Sequence, residues 1–351
     1  MTGPHPAVAA TRVAVRRVLA QLARELVVDY PSDVQASAQA REPLVLSACS
    51  GGADSLALAA ATAFEAPRLR EPRMRAGAIV VDHGLQAGSA QVAQRAAQQC
   101  RAMGLDPVDV VRVDVGAGPG PEAAAREARY RAYDEAVRRH GAAAVLLGHT
   151  RDDQAEQVLL GLVRGSGTRS IAGMPARRDA VWRPFLGITR GQISQACRAQ
   201  GLTPWQDPHN DDERFTRVRA RRLLARLRAE LDPAIDAALA RTADLARADA
   251  DALDAYARAL IDGPDARPPG PGCRASDWGV GDLDGHPEAV RGRVWRLRAA
   301  RLGIGNLSSA HVVALERLSR RRGVGPVSLP GGARAVRVED RIHMQARGRV
   351  E

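Results

Sequence analysis

Across residues 44–165, short apolar runs alternate with longer stretches of helical periodicity, and no other feature restricts the fold as strongly. Runs at 44–46, 78–81, 108–115 and 144–147 have the length of buried strands, and segments 54–63, 91–103, 122–139 and 152–163 read as helices. Gly104 stops the second of these helices. Such alternation predicts an α/β domain, a parallel sheet with helices on both faces, whose ligands sit at the carboxyl ends of the strands. An amphipathic helix over 8–28 precedes the first strand. Arg12, Arg16, Arg17 and Arg24 interrupt its apolar residues, which also excludes a signal peptide.

The second half reads differently. Residues 213–262 are helical, with a dense arginine cluster at the start, and 263–272 are rich in proline and glycine like a linker. A helical segment at 287–321 and two strand-like runs at 327–344, around Pro330-Gly331-Gly332, complete the chain. The expected organisation is an α/β domain with its N-terminal helix at 1–212, a basic helical region at 213–262, and a linker plus small C-terminal α/β region at 263–351. The part beyond the α/β domain is smaller and mainly helical. No internal repeat is visible.

Composition narrows the chemistry. The net charge of +11 and pI near 10.7 imply a polyanionic partner, nucleic acid first. All 51 basic residues are arginine. Without lysine the chain cannot be a standard P-loop NTPase, a Schiff-base enzyme or a ligase that carries AMP on lysine. Cys49, Cys100, Cys197 and Cys273 form no CxxC pair, so zinc-ribbon and iron–sulfur spacings are absent and reduced thiols in a cytoplasmic protein are expected. No stretch is apolar enough to span a membrane.

Three motifs fall at predicted strand ends. In Ser50-Gly51-Gly52-Ala53-Asp54-Ser55 the glycines let the backbone approach a phosphate, the following helix N-terminus offers N–H groups, and the serines add donors. Asp54 would repel a bare phosphate, which argues for a bridging magnesium ion. In His149-Thr150-Arg151-Asp152-Asp153-Gln154-Ala155-Glu156, Asp152 and Asp153 suit a helix N-terminus, and Asp153 and Glu156 share one face. A second carboxylate there could share the metal with Asp54. Arg164-Gly165-Ser166-Gly167 makes an amide-rich loop with a phosphate-binding arginine. Alone, each of these is also compatible with ordinary capping or loop structure.

Together they carry a resemblance. SGGADSLAL, VDHGL, EAAAREARY, DDQAEQVLLGLVRGSG, SIAGM, RPFLGITRGQI and WQDPHNDDERFTRVRARRLL occur in this order over 45–230, about half the chain. The first resembles the pyrophosphate loop of the N-type ATP pyrophosphatases, and the linked set resembles the tRNA(Ile)-lysidine synthetases. The resemblance implies a PP-loop, adenine nucleotide alpha hydrolase-like domain. It implies ATP-dependent adenylation of the carbon-2 oxygen of the wobble cytidine in the CAU anticodon of tRNA(Ile). Free lysine then displaces AMP to give lysidine, and decoding changes from AUG to AUA.

By motif position, Ser50, Gly51, Gly52, Ala53, Asp54 and Ser55 would bind ATP, with His83, Arg164 and Gly165 bordering the nucleotide. Asp54 and Asp153 would be the catalytic pair and hold Mg2+. Arg126, Glu127 and Arg129 would help form the lysine or cytidine pocket, a charged helix face being an equal reading. Arg217, Arg219, Arg221 and Arg222, within a cluster running from Arg214 to Arg228, would follow the tRNA backbone. A homodimer is compatible with this reading, and a membrane partner is not.

Two positions depart from the resemblance: His149-Thr150 replaces a paired histidine, and Val218 stands where asparagine is usual. The rivals are a PP-loop 2-thiolase, which the lack of a CxxC pair disfavours, and a non-catalytic tRNA-binding protein, which intact Asp54 and Asp153 disfavour.

Overall fold

The computed structural model describes residues 3–29, 42–70, 72–84, 88–114, 121–165, 167–207, 212–262 and 277–346. Helix α1 (Pro6–Asp29) leads into β1 (Leu44–Ala48), α2 (Ala53–Glu65), β2 (Arg75–Asp82), α3 (Ser89–Ala102), β3 (Val108–Arg112), α4 (Pro121–His140), β4 (Ala144–Leu146) and α5 (Arg151–Val163). Then come α6 (Thr168–Ile171), β5 (Arg177–Arg178), β6 (Val181–Trp182), α7 (Arg190–Ala199), α8 (Thr216–Glu230) and α9 (Ile235–Asp262). The remainder holds β7 (Asp277–Gly279), α10 (Glu288–Arg301), α11 (Ser309–Arg320), β8 (Val327–Ser328), β9 (Arg334–Val338) and β10 (Arg341–Gln345).

The first sheet has the order β3-β2-β1-β4-β6-β5. Every pairing is parallel except the short β5 against β6. The chain runs outward from β1 to β3 and then returns to lay β4 on the other side of β1. That reversal opens a crevice at the carboxyl ends of β1 and β4, where the first two motifs lie.

The pleat explains why β1 and β4 are apolar throughout. Val45, Ala144 and Leu146 face one layer, packed with Val15 and Leu19 of α1, Leu58 of α2 and Ile193 of α7. Leu44, Leu46 and Val145 face the other, against Ala132, Tyr133 and Ala136 of α4. This is the α/β architecture that the alternation predicts.

The chain divides into two compact units, Met1–Val163 with Gly173–Ala243, and Arg164–Ala172 with Asp244–Glu351. The division does not follow the expected boundaries at 212 and 262. Helix α8 packs on α5 inside the first unit, and the dividing point falls within α9. The expected single helical stretch 213–262 is two helices. Pro233 cannot continue α8, and Asp232 starts the next helix by accepting from Ala234 N at 2.7 Å and Ile235 N at 3.0 Å. The expected linker at 263–272 lies outside the described residues.

The second unit carries an antiparallel sheet of order β7-β10-β9-β8, where two strand-like runs were expected. Trp295, Leu315, Leu318, Ile342 and Met344 form its core. Among the described residues, no helix is long and apolar enough to cross a membrane.

Candidate active site

The site begins where β1 ends. Cys49 still donates to Ile79 O at 2.9 Å as the ladder closes, and the chain then turns sharply through Gly51 at φ +84°. A side chain at Gly51 would strain this backbone, and its Cβ would lie 3.3 Å from Ala96 Cβ. Gly52 is the N-cap of α2 and offers no side chain to its first amides, which are left for an anion. The loop is braced internally. Ser55 Oγ donates to Gly52 O at 2.9 Å and accepts from Ser50 N at 3.1 Å. It is braced externally as well, because Trp205 N donates to Gly51 O at 2.9 Å. Thr203 pairs with Gln99 through two amide contacts of 3.3 Å, which holds the bracing segment.

Asp54 follows in the first turn of α2. Among the described residues its carboxylate has no hydrogen-bond partner, although Arg190 and Arg221 are near enough to lower its pKa. Burial raises it, Asp153 and Asp152 raise it further, and the net result is about 6. The carboxyl end of β4 approaches closely here. A Cβ on Gly148 would sit 2.8 Å from Asp54 O, so only glycine fits.

The acids of α5 are held in place. Asp153 Oδ2 accepts from Thr150 N at 2.7 Å and Thr150 Oγ1 at 2.8 Å. Thr150 thus closes the N-terminus of α5 with a hydroxyl where the resemblance leads one to expect a second histidine. Asp153 Oδ1 accepts from Arg190 Nη2. Burial opposes ionisation of Asp153, yet Arg190, the Thr150 N–H and His149 together hold its carboxyl below the usual range. Glu156, 3% exposed, accepts from Arg190 Nη1 at 2.7 Å and Arg221 Nε at 3.0 Å. Gln154 grips Met174 N and O at 2.7 and 3.1 Å, and a Cβ on Gly173 would lie 2.5 Å from its amide. Gly173 and Met174 are therefore a structural seat for α5.

A basic pole lies beyond His149. Arg129 Nε donates to His83 Nε2 at 3.3 Å. Arg126 and the buried Arg183 converge on Tyr130 Oη at 3.3 and 2.9 Å. Burial lowers the Arg126 pKa, Tyr130 counters it, and Arg217, Arg183 and Arg129 add to the lowering. Burial also drives His149 down, against the pull of Asp153 and with help from Arg183, Arg217 and Arg126. Among the described residues, His83 Nδ1, His149 Nδ1 and Arg183 Nε are buried without a hydrogen-bond partner, so this pole retains unused polar capacity.

The first unit thus gathers Ser50, Gly51, Gly52, Ala53, Asp54, Ser55, His83, Arg126, Arg129, Asp153, Arg217 and Arg221. Glu127 is exposed and pairs with Arg131 at 3.1 Å instead. Arg164 and Gly165 belong to the second unit. Arg221 turns inward onto Glu156, whereas Arg219 and Arg222 of the same helix are exposed, the latter paired with Glu213. Val218 is 6% exposed, so an apolar side chain suits its place. Arg190 and Arg183 went unread in the sequence, although RPFLGITRGQI contains Arg190 at a helix start.

Among the described residues no group of three or more His, Cys, Asp or Glu is arranged to hold a metal ion. The two carboxylates Asp54 and Asp153 nevertheless fit Mg2+, which commonly takes one or two carboxylates and completes its shell with water and phosphate oxygens. Asp153 raises the cost of ionising Asp54, and a divalent cation would relieve that cost.

Residues 20–227 match the PP-loop domain family. The chain is 49% identical to the tRNA(Ile)-lysidine synthase of Streptomyces coelicolor, over 97% of this chain and 98% of that one. It is 48% identical to the Thermobifida fusca enzyme of the same name, over 99% and 100%. The Mycobacterium tuberculosis enzyme is 44% identical over 82% and 85%. Among solved structures, the U34-tRNA thiolase NcsA of Methanococcus maripaludis superposes with a TM-score of 0.50 at 17% identity, covering 65% of this chain and 80% of that one. That likeness concerns the fold alone.

Proposed function

The chain belongs to the PP-loop family and, within it, to the tRNA(Ile)-lysidine synthases, and we propose that it joins free lysine to the wobble cytidine of tRNA(Ile) at the expense of ATP. The observation that carries the reading is the meeting of two unlike features at one crevice. The first amides of α2 have no side-chain cap and are open to an anion, and beside them a carboxylate, Asp54, sits within the field of Asp153.

The α2 amides and the Ser50 hydroxyl would hold the phosphates, with Ser55 keeping the loop in shape through Gly52 O and Ser50 N. Asp54 and Asp153 would hold Mg2+, which when bound offsets negative charge on the leaving pyrophosphate. The carbon-2 oxygen of cytidine attacks the α-phosphorus, and pyrophosphate departs. An amine of lysine then attacks carbon 2, losing a proton, and AMP leaves with the oxygen. The site's share is orientation and charge. His83, Arg126 and Arg129 border the crevice and would position the lysine or the cytidine. Exposed Arg219 and Arg222, with Arg217, would contact tRNA phosphates, while Arg221 stays with Glu156. A cytoplasmic setting is consistent with Cys49, Cys100 and Cys197, the cysteines among the described residues, being buried free thiols.

The test is AMP release with Mg2+, ATP, lysine and tRNA(Ile) bearing CAU, each omitted in turn, followed by nucleoside mass analysis. The expected product is cytidine heavier by one lysine less one water. AMP release without lysine in the tRNA would assign the chemistry to another nucleophile.

A further inference from the structure

We propose that Arg190 is a positioning residue for this reaction, one residue that fixes all three acids at the start of α5. The inference rests on the lysidine reading above. Arg190 is the first residue of α7, and its backbone is pinned from both sides. Thr189 N donates to Gln192 Oε1 at 2.9 Å, and Gln192 N donates to Thr189 Oγ1 at 3.1 Å. Just before it, Ile188 O accepts from Arg151 N at 2.9 Å, which stitches the start of α7 to the start of α5.

From this anchored point Arg190 makes three kinds of contact. Its main-chain N donates to Asp152 Oδ2 at 3.0 Å. One arm of its guanidinium donates to Glu156 Oε1 at 2.7 Å, and the other donates to Asp153 Oδ1. Thr150 already holds Asp153 Oδ2 with two donors, so the Arg190 arm on Oδ1 leaves that carboxylate no freedom to rotate. Asp54, across the crevice, has no hydrogen-bond partner among the described residues. The site therefore contains one unclamped carboxylate, Asp54, and three that Arg190 fixes. Its two guanidinium arms hold Asp153 and Glu156 at a fixed spacing.

Only a planar fork can do this. A lysine ammonium is a point charge on a flexible stem and cannot reach both carboxylates in fixed directions. A misplacement on the order of 1 Å in a reacting constellation costs about 100-fold in rate. The pocket for the ATP phosphates is built by other residues and should be spared.

The experiment compares full-length wild type, R190K, R190Q, E156Q and the E156Q/R190Q double variant. It measures lysidine turnover, KM for ATP, lysine and tRNA, and melting temperature. R190K is expected to melt within a few degrees of wild type, to lose about 100-fold in kcat, and to keep its KM for ATP within about threefold. The double variant should be no worse than the poorer single variant by more than about threefold, because both changes remove the same constraint. Wild-type kcat per folded molecule in R190K overturns the proposal. So do multiplying losses in the double variant, or melting far below wild type in both Arg190 variants, which would assign Arg190 to the fold. Should wild type release AMP without forming lysidine, the functional reading falls, and the same comparison on AMP release still decides Arg190.

Discussion

Replacing Asp54 with asparagine should stabilise the ligand-free protein while abolishing its chemistry. Burial, Asp153 and Asp152 raise the native pKa of Asp54 from 3.8 to about 6, against the opposing pull of Arg190 and Arg221. A rise of roughly two units corresponds to a ceiling of about 3 kcal/mol against the folded state at pH 7. Asparagine keeps a polar group in the same place, so a net gain of about 1–2 kcal/mol is expected. For a unit of this size that is a shift of about 2–8 °C in its unfolding transition. The sign follows from proton binding. Between pH 4 and about 6 the native state binds more protons here than the unfolded chain, so this group's contribution to stability falls as pH rises. The penalty is complete above about 6 and absent below 4. Scanning calorimetry of both proteins at several pH values should show Asp54→Asn melting higher at pH 7.5, with the gap closing near pH 4. With MgATP present the order should reverse, since only wild type binds it productively, and AMP release by the variant should be lost. A variant no more stable than wild type at pH 7.5, or a gap that widens on acidification, would refute the reasoning.

Other outcomes follow from single contacts. Gly148→Ala should force its Cβ into Asp54 O, now 2.8 Å away, and weaken ATP binding measured by calorimetry at least tenfold. Arg16→Ala strips a two-armed ion pair of 2.7 and 2.8 Å from buried Glu65 and should cost about 1–3 kcal/mol in urea unfolding, with AMP release per folded molecule unchanged. Arg219→Ala and Arg222→Ala should each weaken tRNA binding and reduce the log–log salt slope by about one, whereas Arg221→Ala should impair turnover more than the salt slope.

What could be read in advance was what is local. The run Leu44-Val45-Leu46 followed by Ser50-Gly51-Gly52 places a phosphate loop because strand, turn and helix start are contiguous. Asp153 was legible because helix geometry alone joins it to Glu156. Arg190 was not, since it lies 37 residues from Asp153 and meets it only because β6 and α7 return beside β4. In α8 nearly every turn carries arginine, so periodicity cannot tell the inward Arg221 from the outward Arg219 and Arg222. The division inside α9 was illegible for a related reason, because a basic composition marks a segment without saying what it packs on.

The bond from Trp205 N to Gly51 O has a temporal consequence. Chains emerge from the ribosome N-terminus first and begin folding as they do. Residues 50–55 appear early, but their outer brace is not translated until residue 205, and Arg190 only shortly before it. A nascent chain halted earlier carries the complete motif without a finished cradle. The phosphate loop is thus the first of the motifs to be made and among the last parts of the first unit to be fully braced.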